Sequence, residues 1–264
     1  YIWDRLILKK RLPMVIRLKK LLSVLLGVLL ILLGLVFLLY GVVTIKSKEA
    51  PAPETDAQIT KTQAPAEKPM VALTFDDGPY GPVTGRILDA LQEVNGKATF
   101  FIVGSRISGR EETVQKIEAA GCEIGNHTFD HVTLRGLKDA QVLDQLQKDD
   151  EALKKVVGHE STLLRPPGGI YEKNLLNLTD KPIVLWTIDT MDWSHQNKDI
   201  TIKRVLDNVE DGDIVLMHDL FPATADAVEV LVPELTKRGF RLVTVSELLA
   251  SHDEPDGVVL RQKA

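Results

Sequence analysis

The sequence predicts an α/β fold, a distorted (β/α) barrel of about seven parallel strands, preceded by a single transmembrane helix and a linker. Three observations carry that expectation. From Met70 onward, short apolar runs alternate with helical patterns. The runs are apolar throughout rather than at every second position, as strands covered on both faces are. Polar or ionisable residues follow five of them directly, and the C-terminal strand ends are where parallel barrels gather their chemistry.

The N-terminal part reads differently. Residues 1–20 carry Arg5, Lys9, Lys10, Arg11, Arg17, Lys19 and Lys20 against Asp4 alone, so the formal net charge of −5 conceals a more acidic remainder. An acidic outer portion disfavours a nucleic-acid partner, whose signature is a basic patch. Residues 21–45, LLSVLLGVLLILLGLVFLLYGVVTI, hold no charge and are long enough to span a bilayer core of about 30 Å. The run exceeds a secretory apolar region of about 7–15 residues, and no A-x-A cleavage site follows, so an uncleaved anchor is expected. The basic cluster before it predicts a cytoplasmic N-terminus and an extracellular domain on the cell membrane. Residues 46–69, rich in Pro, Ala and charge, form a linker. The domain then occupies 70–250, with a tail at 251–264.

Hydrophobic residues at 44% and charged residues at 26% exclude wholesale disorder. Cys122 is the only cysteine, which rules out an intrachain disulfide and the Cys-rich zinc patterns; within GCEIG it reads as a small buried hydrophobe. Strands are expected at 70–75, 98–103, 122–125, 161–165, 183–188, 213–217 and 241–245. Helices are expected at 83–94, 110–120, 138–157, 199–210 and 224–238. No G-x-G-x-x-G or G-x-x-x-x-G-K-[ST] follows a strand, which argues against a nucleotide cofactor.

The strand ends supply the candidate chemistry. Asp76 and Asp77 follow the first strand, NHTFDH the third, RPPGG the fourth, DTMDW the fifth, and LMHD ends the sixth. His127 and His131 are spaced to share one side of a helical turn, and with Asp77 they make a two-His, one-Asp set suited to a divalent metal. A neighbouring carboxylate can then act as general base on a metal-bound water, which gives the Asp76–Asp77 doublet a purpose. Arg165 is the available guanidinium to pair bidentately with that base and keep it ionised. Gly168 and Gly169 let backbone N–H groups approach a ligand. His218 can protonate a leaving amine, Asp189 is expected to orient it, and Trp193 with Leu216 can wall a small apolar pocket.

TFDDGP, HTFDH, RPPGG, DTMDW and LMH, in this order over residues 69–250, resemble the polysaccharide deacetylases of the NodB-homology type, carbohydrate esterase family 4. The resemblance implies a distorted (β/α) barrel and metal-dependent removal of acetyl groups, usually from N-acetylated sugars. It implies Asp76 as base, Asp77, His127 and His131 as metal ligands, and Arg165 as partner of the base. By the same likeness His218 is the acid, Asp189 the group that orients it, and Trp193 and Leu216 the lining of the acetyl-methyl pocket. Many members carry an aromatic residue where Gly168 stands; its N–H can still serve an oxyanion, while sugar contacts from a side chain are lost. A linking helix near 172–178 is expected to be reduced.

The metal expected is Zn2+, with Co2+, Ni2+ or Mn2+ as alternatives. An anchored, outward-facing domain meets cell-wall glycan first, so N-acetylglucosamine of peptidoglycan leads. N-acetylmuramic acid, chitin oligomers, exopolysaccharide and xylan are the other candidates. A non-catalytic wall-binding module is the reading from another class.

Overall fold

A computed structural model describes residues 68–251 and 258–259. The basic segment, the expected anchor and linker up to residue 67, and most of the tail lie outside the described residues. Among those described, no helix is long and apolar enough to cross a membrane.

The centre of the fold is β1 (Met70–Asp76), whose seven residues are all buried. It pairs in parallel with β2 (Thr99–Ile102) on one side and β6 (Asp213–His218) on the other. Beyond β2 lies β3 (Glu123–Asn126), and the pairing continues through a single bridge at Leu164 to β4 (Ile183–Val184). A few residues on, β5 (Ile188–Asp189) pairs with β6. The pairings therefore run from β1 through β2, β3, Leu164 and the 183–189 segment to β6 and back to β1. The short β7 (Arg241–Leu242) lies along the first residues of β1, and β8 (Val258–Val259) pairs antiparallel with β4.

Alternation along β1 divides the core in two. Val71, Leu73 and Phe75 join one cluster with Ile87, Leu91, Val228 and Leu231, whereas Met70 and Ala72 join another with Phe101, Leu163, Val184 and Ile214. The first cluster is the layer under the helices. Its helical members come from α1 (Gly81–Glu93), α2 (Glu111–Ala119), α3 (Asp139–Val157), α6 (Lys198–Leu206) and α7 (Pro222–Lys237). Proline opens both α1 and α7, where its missing N–H costs no helical bond. Gly158 in left-handed conformation closes α3.

The parallel α/β expectation is met, and its departures are local. The 161–165 strand is reduced to the Leu164 bridge, because Pro166 and Pro167 remove the next two donors. The 183–188 strand is split into β4 and β5, and β7 is shorter than 241–245 because the chain enters α8 (Val245–Ser251), a helix that was not anticipated. Cys122 is buried, and burial pushes its thiol up to about 11, consistent with a packing role. The reduced linking helix is α4 (Leu175–Leu178), a single turn.

β3 passes close to the interior ring of Phe101: a Cβ on Gly125 would lie 2.4 Å from that ring. Gly125→Ala is expected to lower stability by about 1–3 kcal/mol through overpacking, measured as the shift in the urea unfolding midpoint.

Candidate active site

The register of the sheet assembles the site. Asp76 stands directly opposite His218 across the β1–β6 pair and opposite Phe101 across the β1–β2 pair. Ile102 aligns with Asn126, which puts His127 at the next strand end. The candidate site residues singled out from the sequence, apart from Arg165 and Gly169, line one cleft of about 470 Å³ together with Trp186 and Phe221.

Arg165 lies beneath the cleft with 0% of its surface exposed. Its Nη1 donates to Asp76 Oδ1 at 2.7 Å and to Thr74 Oγ1 at 2.8 Å; Nε donates to the Val184 carbonyl and Nη2 to that of Leu185. Thr74 and Asp76 share the interior face because they are two apart on β1. The guanidinium carbon sits 4.1 Å from the centroid of the Phe101 ring. The pairing with Asp76 is thus made, but by one nitrogen and one oxygen rather than the bidentate fork expected, since the other donors serve backbone carbonyls. That leaves Asp76 Oδ2 turned to the histidine side, 3.7 Å from His127 Nε2.

Asp77, His127 and His131 converge, with one ligand atom from each lying within 4.8 Å of the others. The spacing of the two histidines acts differently from the helical turn anticipated. Thr128 and His131 have φ of 65° and 55°, so a left-handed turn brings the rings to 5.1 Å, with centroids tilted rather than stacked. His127 Nδ1 donates to the Arg165 carbonyl at 2.7 Å, which fixes the tautomer and leaves Nε2 as a bare lone pair. Asn126 steadies the turn by accepting from Thr128 N–H and donating to the Leu146 carbonyl.

Asp77 Oδ1 is 2.8 Å from His131 Nε2 and 3.5 Å from His127 Nε2, yet this buried oxygen makes no contact of hydrogen-bond geometry. Burial works to raise the Asp77 pKa; when the two imidazoles are protonated on Nε2 as well, their N–H groups and charge outweigh it and hold the carboxyl well below the usual range. One carboxylate and two imidazoles directed at a common point, with an oxygen lacking its own donor, fit a divalent cation.

Across the cleft, His218 Nδ1 is 2.8 Å from Asp192 Oδ1, and the His218 N–H donates to Asp192 Oδ2. Thr224 Oγ1 also donates to Oδ2 at 2.6 Å. Asp189 is not the orienting acid expected: its Oδ1 accepts from Met191 N–H at 2.8 Å, an Asx-turn two residues on. Met191, at φ 55°, then swings the chain into α5 (Asp192–His195), which aims Asp192 at β6. The second aspartate of DTMDW was available in the sequence, but the turn that selects it was not.

The pocket walls follow the expectation with two additions. Leu216 is buried, Trp193 is half exposed at the mouth, and Trp186 and Phe221 were missed. Gly168 lines the cleft at φ 64°, and a Cβ on Gly169 would lie 2.9 Å from Trp186, so the pair of glycines lets the backbone run close beneath that ring. His195 turns inward onto the Thr190 carbonyl and helps hold the DTMDW segment.

This architecture and donor set define an α/β protein with a metal-type cluster at the ends of a parallel sheet. The family model described as polysaccharide deacetylase matches residues 63–182. Peptidoglycan-N-acetylmuramic acid deacetylase PdaC of Bacillus subtilis is 38% identical over 188 residues, 71% of this chain and 40% of that protein. A peptidoglycan-N-acetylglucosamine deacetylase of Bacillus cereus is 36% identical over 71% of this chain and 91% of its own length. The solved structure of the B. subtilis PdaC deacetylase superposes with a TM-score of 0.68 at 37% identity, covering 69% of this chain and 91% of that one. A family 4 acetyl xylan esterase of Clostridium thermocellum, solved with a cobalt ion, gives 0.65 at 32% identity over 69% of this chain and 91% of its own. The chain belongs to the polysaccharide deacetylase family. It spans about two fifths of the length of PdaC.

Burial works to lower the His218 pKa, but the hydrogen bond and charge of Asp192, with Asp76 and Asp77 behind them, push it up to about 8. A histidine raised in this way adds stability that is fully present below its unfolded pKa of about 6.5 and is lost as pH rises through the folded value. Asp192→Asn is expected to lower the His218 pKa by about 1 unit or more, followed by NMR titration of the imidazole in chelator-treated protein.

Proposed function

We propose that the protein is a metal-dependent hydrolase that removes N-acetyl groups from cell-surface polysaccharide, with N-acetylglucosamine of peptidoglycan as the leading substrate. The observation that carries this is the convergence of Asp77, His127 and His131 between Asp76, tied to Arg165, and His218, tied to Asp192. The relatives named above, two of them peptidoglycan deacetylases, support the same reaction class. N-acetylmuramic acid is the second candidate, because PdaC is named for it.

In this reading Asp77, His127 and His131 hold the metal, Zn2+ first and Co2+, Ni2+ or Mn2+ as alternatives. When bound, it supplies Lewis acidity toward the acetamide carbonyl and lowers the pKa of water. Asp76 takes the proton from the attacking water at Oδ2, since Oδ1 is engaged by Arg165. His218 keeps a proton on Nδ1 for Asp192, so Nε2 is the atom that delivers a proton to the departing sugar amine. In the same reading the N–H of Gly168, which lines the cleft, donates to the oxyanion, a contribution often worth about 2.7–4 kcal/mol. Leu216, Trp193, Trp186 and Phe221 surround the acetyl methyl and exclude water.

The finer architecture and the location belong to the same proposal. The circuit of pairings through Leu164 supports a distorted barrel of about seven strands. The uncharged run at 21–45 supports a single-pass anchor, with 46–69 as tether and the 70–250 domain outside the cell.

The test is acetate release from peptidoglycan and from N-acetylglucosamine oligomers by the purified chain, before and after chelation and with zinc or cobalt restored. Metal-dependent release is expected; a folded, metal-loaded protein that releases none from either would overturn the reading. Asp76→Asn is expected to reduce turnover by about 10²-fold or more, with metal content unchanged by elemental analysis.

A further inference from the structure

Asp219 follows His218 directly, is 0% exposed, and belongs to none of the roles above. Its carboxyl rests on the loop that leaves β1. A Cβ placed on Gly78 would fall 2.4–2.7 Å from the Asp219 carboxyl atoms, so a side chain at 78 and a carboxylate at 219 exclude one another. The Asp219 N–H donates to the Asp76 carbonyl at 3.4 Å. Asp219 Oδ2 accepts from the Thr84 hydroxyl, and that hydroxyl accepts from Tyr80 N–H at 3.0 Å. Thr84 is also 0% exposed, in the first turn of α1. The second oxygen, Oδ1, has no hydrogen-bond partner among the described residues.

A hydrophobic side chain would fill this space at lower desolvation cost, so the acid is held here by what it connects. Three pieces meet at it: the end of β6 that carries His218, the 76–80 loop that carries Asp76 and Asp77, and the start of α1. Asp77 has φ of 74°, and on the β2 side the Arg106 guanidinium donates to the Asp77 carbonyl and the Val103 N–H to the Gly78 carbonyl at 3.0 Å, which leaves Asp219 as the side chain that holds the loop from the β6 side. We propose that Asp219 is a positioning residue that, through Thr84 and the Gly78 backbone, locks the Asp76–Tyr80 loop against the end of β6 and sets the spacing between the two carboxylates and His218.

The role rests on the deacetylase reading for its effect on turnover, but its geometric part is testable without it. Asp219→Ala and Thr84→Val are each expected to lower kcat by about tenfold to a hundredfold, with KM within about twofold. The Asp219→Ala, Thr84→Val double variant is expected to be no worse than the poorer single one, because both break the same chain of bonds. Asp219→Asn, which keeps the shape and an accepting oxygen, is expected to retain kcat within about threefold. In cobalt-loaded protein the visible absorption bands should shift in Thr84→Val and Asp219→Ala and match the parent in Asp219→Asn.

Losses that multiply in the double variant, or an unchanged kcat and cobalt spectrum in Thr84→Val, would overturn the role. Should Asp219→Ala fail to fold, Thr84→Val and Asp219→Asn still decide it. Should the parent release no acetate, the proposed reaction fails, while the cobalt spectra continue to report whether the loop is held by Asp219.

Discussion

Arg165 brings a permanent charge into a space with no exposed surface, and much of the fold is arranged around that fact. Its donors are divided among Asp76, Thr74 and two carbonyls of the 184–185 segment, while Phe101 covers one face of the guanidinium. Burial pulls its pKa down and the Asp76 carboxylate opposes that. Removing one member of such a buried pair commonly costs about 3–5 kcal/mol, because the other is left uncompensated. The same bonds join β1, the Leu164 bridge and β4. One ion pair thereby ties the 164–185 segment to β1 and fixes the orientation of the carboxylate above it.

The site is built on this platform by strand register. His127 donates to the carbonyl of Arg165, so the residue that orients Asp76 through its side chain orients a histidine through its backbone. Asp192 plays the corresponding part on the other wall, where three donors from β6 and α7 converge on one carboxylate. Asp76, His127 and His218 thus each have a buried partner behind them. This support keeps the side chains of the cleft in place when the cleft itself is open to water.

Residues at strand ends were legible in the sequence because the apolar runs fix where β1, β3 and β6 stop, and the next residue has little freedom. Asp76, Asp77, His127 and His218 are all of this kind, and His131 was reached through its spacing from His127 although a turn places it. Other residues placed by turns were not. Asp189 and Asp192 differ by three positions, and only the left-handed Met191 between them decides which one meets His218. Trp186 and Phe221 reach the cleft from segments whose path depends on packing between elements distant in the chain. Arg165 was found as a partner for Asp76, yet its complete burial depends on the 183–189 segment folding over it, which no local pattern encodes.

β1 meets β6 across a separation of 141 residues, as in the bond from Thr74 to the Val215 carbonyl. The groups gathered by Asp77, His127 and His131 are complete by residue 131, whereas Asp192 and His218 come from the last third of the chain. Folds that depend on pairings of such long range form slowly. Along the chain the three clustered residues therefore precede both the Arg165 carbonyl that orients His127 and the strand β6 that docks beside Asp76, so the cluster takes its shape only when the last third of the chain is in place.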